Sequence, residues 1–309
     1  MSRRIAITGA SGLIGGALSA FLRGRGNEVV RLVRRAPSAP DEVRWDPAER
    51  HLDPADLAGV TAVVHLAGAG VGDKRWTPRY QQEILASRVD GTTTIATALA
   101  ALATRDQRVR LVSGAAVGLY GDRGDEVLTE ESPPGDGFLS EVVRAWEAAA
   151  DPARDAGLSV AHNRTGLVFA PGGGALSRML PLARLGINGP LGNGRQWWPW
   201  ISLRDTVAGL AHLVDHPEIE GPVNLVGPHP DHQVDIAREL GRLIHRPALL
   251  PAPAFGIKLV LGGFSDEVLT SKRAIPARLT ESGFVHQDQT VGSALRWVLS
   301  QQSPSHQET

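Results

Sequence analysis

The feature that most constrains this chain is the octet Thr8-Gly9-Ala10-Ser11-Gly12-Leu13-Ile14-Gly15. It follows directly on an apolar run, residues 4–8, and leads into residues 13–22, where apolar side chains recur at helical spacing. Glycines three apart carry a mechanism when they join a strand to a helix in this way. Gly9 permits the tight turn out of the strand, Gly12 lets the backbone approach a pyrophosphate, and Gly15 lets the helix pack closely on the sheet. The free N–H groups of the helix N-terminus then face the phosphates.

The rest of the N-terminal half repeats the alternation. Residues 27–33, 60–66 and 109–113 are β-rich runs, and helical stretches fall at 79–89, 92–103 and 139–150. Such alternation predicts β-α-β units, and strands apolar on both faces fit a sheet covered by helices on each side. The expected class is α/β: a Rossmann-like doubly wound parallel sheet with a smaller C-terminal substrate lobe. The expected division is 1–165 and 166–309, with the two parts interleaved. After Arg164 the pattern loosens, with helices expected at 205–214 and 235–244 and a strand at 222–226. The segment PAPAFGIKLVLGG reads as a buried helix rather than an interfacial anchor, because it is short and broken by glycine. Residues 301–309 read as a frayed polar tail.

Composition narrows the function. At 309 residues and 42% hydrophobic, the chain can bury a substantial core. The net charge of −1 gives no field favouring nucleic acid or an anionic surface. There is no cysteine, which removes disulfides, thiolate metal sites and a cysteine nucleophile. No segment is long and apolar enough to span a bilayer. The expectation is a cytoplasmic protein, monomer or homodimer, with a small-molecule substrate and neither nucleic-acid nor membrane partners.

The second β-run ends in Arg34 and Arg35, where an NAD site usually places a carboxylate for the ribose 2′-hydroxyl. A guanidinium cannot accept from that hydroxyl but matches a 2′-phosphate. The cofactor expected is therefore NADP(H).

These residues carry a family likeness. TGASGLIG, HLAG (65–68), SRVDGT (87–92) and SGAAVGLYGDRGDEVLTEESPPGD resemble the extended short-chain dehydrogenase/reductase proteins. More narrowly they resemble the atypical branch called epimerase family, or nucleoside-diphosphate-sugar-epimerase-like, proteins, some of which have a SulA-like name. RTGLVFAPGGGAL, GPLGNGRQWWPWISLRD and SKRAIPARLTESGF extend the likeness through the C-terminal region. The resemblance implies Ser11, Leu13 and Ile14 at the pyrophosphate and Arg34 at the 2′-phosphate. It implies Leu66, Ala67 and Gly68 bordering the adenosine end, Glu83 and Arg88 reaching ribose or phosphate, and Val168 near the nicotinamide. Arg88 stands where most extended relatives have asparagine.

Ordinary members use a tyrosine as general acid/base, with a lysine four residues later whose charge lowers the phenol's pKa. Here those positions fall near Phe138 or Leu139 and at Val142 or Val143, none of which moves a proton. Ser113 fits the strand-end serine that orients a substrate oxygen. Tyr120, in the following loop, is the substitute proton donor, with local packing equally open for it. Gln196-Trp197-Trp198-Pro199-Trp200 concentrates indoles that could wall a pocket or pack the second lobe. His229 and His232 lack a suitably spaced third ligand, so no metal site is expected. Two functions from different classes follow: an NADP(H)-dependent oxidoreductase or epimerase of unknown substrate, and a non-catalytic NADP(H) sensor.

Overall fold

A computed structural model describes residues 2–302. Of the expected polar tail, residues 303–309 lie outside the described residues. The backbone packs as two compact units. The first comprises the chain up to Leu119 with Pro134–Arg164 and Val207–Val223. The second comprises Tyr120–Pro133, Thr165–Thr206 and the chain from Asn224 onward. The chain thus passes into the second unit at Tyr120–Pro133 and back into the first at Val207–Val223.

The first unit is built on a central sheet of seven strands. We number them β1 (Arg4–Thr8), β2 (Glu28–Val33), β3 (Glu42–Arg44), β4 (Val60–His65), β5 (Arg110–Ala116), β6 (Val160–Thr165) and β7 (Gly221–Leu225). Their order is β7-β6-β5-β4-β1-β2-β3. The pairings of β1 with β2 and β4, of β2 with β3 and of β4 with β5 are parallel. Strand succession runs outward one way from β1 and the other way from β4, so β1/β4 is the topological switch point where such folds bind ligands. Three helices cover the sheet: α1 (Leu13–Gly24), α2 (Pro78–Ala103) and α3 (Phe138–Ala148). Ile5, Ala6, Ile7, Val63, Val64, Leu111 and Val112 are at or near zero exposure, as strands covered on both faces require.

Helix α2 runs unbroken for 26 residues where the sequence suggests two helices. Gly91 lies at the expected break but is buried. A Cβ there would come 3.2 Å from His65 Cε1 and 3.5 Å from Trp45 Cη2. The glycine costs about 1 kcal/mol of helix propensity and allows α2 to approach β4 closely. Thr77 caps α2 by accepting from the Tyr80 N–H.

The second unit has its own core, in which Phe169, Leu180, Trp198, Trp200, Ile236, Leu240 and Leu295 are buried. The strands Leu167–Ala170 and Trp200–Ser202 pair in parallel within it. All three clustered indoles are held by protein acceptors. Trp197 donates to Asp125 Oδ1 (2.8 Å), Trp198 to the Val268 carbonyl (3.1 Å) and Trp200 to Asp231 Oδ2 (2.7 Å). That is the packing role. The segment at 254–261 is a helix as expected, but it is not buried: Phe255, Leu259 and Val260 are all more than 70% exposed, and within the helix only Ile257 is enclosed.

Arg110 shows how β5 is anchored. Its guanidinium is buried, has no carboxylate in ion-pair contact among the described residues, and donates to the carbonyls of Leu213 (3.1 Å), Pro217 (3.1 Å) and Ile219 (2.6 Å), and to Ser159 Oγ. Burial lowers its pKa to about 10, leaving it charged. Arg110→Met would take the guanidinium donor from these carbonyls, of which that of Pro217 keeps the Ser159 hydroxyl. We expect a loss of about 3 kcal/mol, measured by urea unfolding; an unchanged midpoint would contradict the anchoring role.

Candidate functional site

At the C-terminal ends of β1, β2 and β4 the first unit encloses a cavity of about 890 Å³. Its wall includes the glycine turn (Gly9, Ala10, Ser11, Gly12), the end of β2 (Arg34, Arg35), and Leu66, Ala67 and Gly68 after β4. Glu83 and Ser87 of α2 complete one side.

The turn has the geometry its glycines permit. Gly9 adopts φ +68°, where a side chain is strained, and the Gly12 N–H donates to the Gly9 carbonyl at 2.9 Å. A Cβ on Gly15 would overlap that same carbonyl and lie 2.8 Å from its carbon. Gly12 is the N-cap of α1 with no side-chain cap, and it lines the cavity. Leu13 and Ile14 head the helix but do not line the cavity; only their backbone N–H groups could serve a phosphate.

Thr8 ties this turn to the exit of β4. Its hydroxyl oxygen accepts from the N–H groups of Leu66 (3.0 Å) and Ala67 (3.1 Å). The hydroxyl proton is therefore left to donate to His65 Nδ1, 2.8 Å away. His65 must then be neutral and carry its proton on Nε2, which is buried without a hydrogen-bond partner. Burial, aided by the Arg88 charge, lowers its pKa to about 4.

Arg34 is exposed on the cavity wall and makes no hydrogen bond or ion pair among the described residues. Arg35, expected beside it as a phosphate ligand, is engaged elsewhere. Its Nη1 and Nη2 donate to Glu42 at 2.8 and 2.6 Å. Glu42 is a wall residue that sequence reasoning missed, because β3 returns it to the end of β2 from seven residues downstream. Glu83 is exposed, 3.6 Å from Lys74 Nζ.

Arg88 is held below this wall, where a Cβ on Gly68 would lie 3.5 Å from its Cζ. It donates to the carbonyls of Ala69 (2.9 Å) and Ile84 (3.1 Å) and stacks on Trp146 at 4.9 Å. No carboxylate pairs with it among the described residues, and burial lowers its pKa to about 10. Trp146 also explains Gly114: a Cβ there would lie 2.5 Å from Trp146 Cζ2. Ser113 is fully buried, with its carbonyl accepting from Asn163 Nδ2 at 2.9 Å. Val142 and Val143 on α3 are buried.

The remaining expected residues belong to the second unit. Val168 lies on the strand Leu167–Ala170. Tyr120 is completely enclosed and donates to Asn224 Oδ1 at 2.7 Å. Among the described residues no group of three metal-binding side chains comes together, and no helix is long and apolar enough to cross a membrane.

Residues 5–230 match the NAD dependent epimerase/dehydratase family. The chain belongs to that family. Residues 252–298 match a second family, a domain of unknown function. An epimerase family protein of Mycobacterium bovis is 39% identical over 297 residues, covering 96% of this chain and 97% of its own. The epimerase family protein SDR39U1 of Bos taurus is 35% identical, covering 96% of this chain and all of its own. Human SDR39U1, solved with NADPH, superposes with a TM-score of 0.85 at 30% identity, over 96% of this chain and 99% of that one. The nucleoside-diphosphate sugar epimerase of Corynebacterium glutamicum gives 0.79 at 34% identity, over 99% of this chain and 60% of that one. Family membership and the Rossmann-like fold therefore agree with the sequence reading.

The Thr8–His65 arrangement has a pH consequence. A histidine whose folded pKa is depressed opposes folding when protonated, so stability falls as pH drops below about 6.5 and goes on falling until about 4. In NMR titrations the His65 ring should stay neutral, protonated at Nε2, down to pH 5. Titration near 6.5 would contradict the assigned tautomer.

Proposed function

We propose that the first unit's cavity is an NADP(H) site and that the protein is an oxidoreductase or epimerase working without the usual Tyr–Lys pair. The observation that carries the cofactor assignment is Arg34: a guanidinium at the end of β2, on the cavity wall, with no partner among the described residues. The Gly9–Gly12 turn would hold the pyrophosphate through backbone N–H groups of Ser11, Leu13 and Ile14. Leu66, Ala67 and Gly68 would border the adenosine. Arg88, a half-buried cation without a carboxylate partner among the described residues, would be completed by an anionic or hydroxyl-rich ligand, and Glu83 would face the ribose. The resemblance adds Val168 for the nicotinamide end. The NADPH in the human relative's structure supports the same reading.

NADP(H), when bound, supplies or accepts a hydride. The chain's own part is to bind and orient. The resemblance gives Ser113 a substrate oxygen to orient, although Ser113 is as enclosed as Tyr120; a water would carry the proton, since Phe138, Leu139, Val142 and Val143 cannot. The substrate class is a small carbonyl or alcohol compound, nucleotide sugars included. The reading includes a cytoplasmic monomer or homodimer, which the lack of cysteine accommodates. The enclosure of Tyr120 also favours a second reading, an NADP(H) sensor without turnover.

NADPH should bind at least tenfold more tightly than NADH, about 1.4 kcal/mol, and Arg34→Ala should erase most of that preference. Gly12→Val should abolish binding while the fold, followed by circular dichroism, persists. Equal affinity for the two cofactors in the unmutated protein would sink the assignment.

Tyr120→Phe separates the roles open to that residue. As a packing residue it leaves Asn224 Oδ1 short of a donor, costing about 1–2 kcal/mol of stability, with turnover of any identified substrate unchanged. A hundredfold fall in kcat/KM would instead make it the proton donor. Tight NADPH binding with no oxidation of the cofactor across carbonyl and sugar-nucleotide screens would favour the sensor.

A further inference from the structure

The cavity wall contains a carboxylate where an NADP(H) site should have none. Glu42 opens β3 opposite Arg31 of β2. Its side chain is 1% exposed, yet it reaches the same cavity as Arg34 and Arg35. Besides the two bonds from Arg35, the carboxylate accepts from the Ser38 N–H (2.7 Å) and the Ser38 hydroxyl (3.1 Å), with Arg31 Nη2 at 3.2 Å. The Arg35 guanidinium, followed by the Ser38 N–H, holds its pKa down to about 2, so it is ionised across the physiological range. Arg31 spends its fork mainly on Asp41, at 3.0 and 2.9 Å.

An ionised carboxylate beside the adenosine ribose does two things. It accepts a hydrogen bond from a 2′-hydroxyl, which is how NAD sites select their cofactor. It also repels a 2′-phosphate through the low-dielectric wall. Left bare, Glu42 would therefore favour the wrong cofactor. In the structure it is not bare: Arg35 reaches back and occupies both of its oxygens, in the bidentate arrangement that a guanidinium alone provides. The pair is close to neutral, which leaves Arg34 as a cation on that wall without a partner among the described residues.

We propose that Arg35 is a mask rather than a phosphate ligand: by covering both oxygens of Glu42 it silences a latent ribose-hydroxyl acceptor, and the Arg35–Glu42 pair sets the choice of NADP(H) over NAD(H). This rests on the reading of the cavity as an NADP(H) site. Arg34 supplies the attraction for the phosphate, and Arg35 removes the repulsion. The side chain of Arg35 is 56% exposed, so its loss leaves no cavity in the core. Glutamine at position 42 keeps an acceptor for Ser38 and removes the charge.

The test is a fluorescence titration of NADPH and of NADH against the full-length unmutated protein, Arg35→Ala, Glu42→Gln and the double variant. A mask predicts that Arg35→Ala weakens NADPH at least tenfold and tightens NADH severalfold, because the uncovered carboxylate now meets the ribose. The double variant should return NADPH affinity to within about threefold of the unmutated protein, and Glu42→Gln alone should keep the NADPH preference. A direct phosphate ligand predicts otherwise: the double variant would bind NADPH as weakly as Arg35→Ala, and NADH affinity would not move. Either that pattern or no effect of Arg35→Ala on either cofactor would overturn the mask. An unmutated protein that binds neither cofactor would overturn the cavity reading, and the mask with it.

Discussion

The contact between Gly15 and the Gly9 carbonyl is the constraint on which the site depends. No side chain fits between them, so the first turn of α1 closes directly on the strand exit. Gly9 can turn there because φ +68° is open to it, and the Gly12 N–H completes the turn. The axis of α1 is thereby fixed relative to β1, with its N-cap, Gly12, on the cavity wall. Thr8 extends the constraint sideways, holding the β4 exit through Leu66 and Ala67. Two strand ends and one helix end are thus joined by backbone contacts and a single hydroxyl.

Around this frame the chain redistributes charge in an unusual way. The lysine that ordinary relatives place on the third helix is replaced by buried valine. A cation is nevertheless present: Arg88 comes from α2 and lies over Trp146, one turn beyond Val142 on α3. Trp146 in turn covers Gly114, where a larger residue has no room. The space beside Gly114, the residue after Ser113, thus holds an indole with a guanidinium stacked on it.

Much of this was legible in the sequence because it was local. The strand–turn–helix, the exposed Arg34 and the missing acid–base pair each occupy a few consecutive positions. What escaped depended on distant segments. Gly91 reads as a helix break until His65 and Trp45 are seen packed against it. Arg35 reads as a second phosphate ligand until β3 brings Glu42 to meet it. Tyr120 offers a hydroxyl in sequence, but Asn224, more than a hundred residues away, accepts its hydrogen bond. The helix Ala254–Leu261 has the composition of a core element, and composition does not say whether a neighbour covers it.

The central claim is that the cavity at β1, β2 and β4 holds NADP(H) by its turn and by Arg34. A crystal structure with NADPH tests it most directly. The account predicts the pyrophosphate on the backbone N–H groups at the head of α1 and the 2′-phosphate within 3.2 Å of the Arg34 guanidinium, with Arg35 still on Glu42. Density for the cofactor elsewhere, or a 2′-phosphate pointing away from Arg34 into solvent, would contradict it.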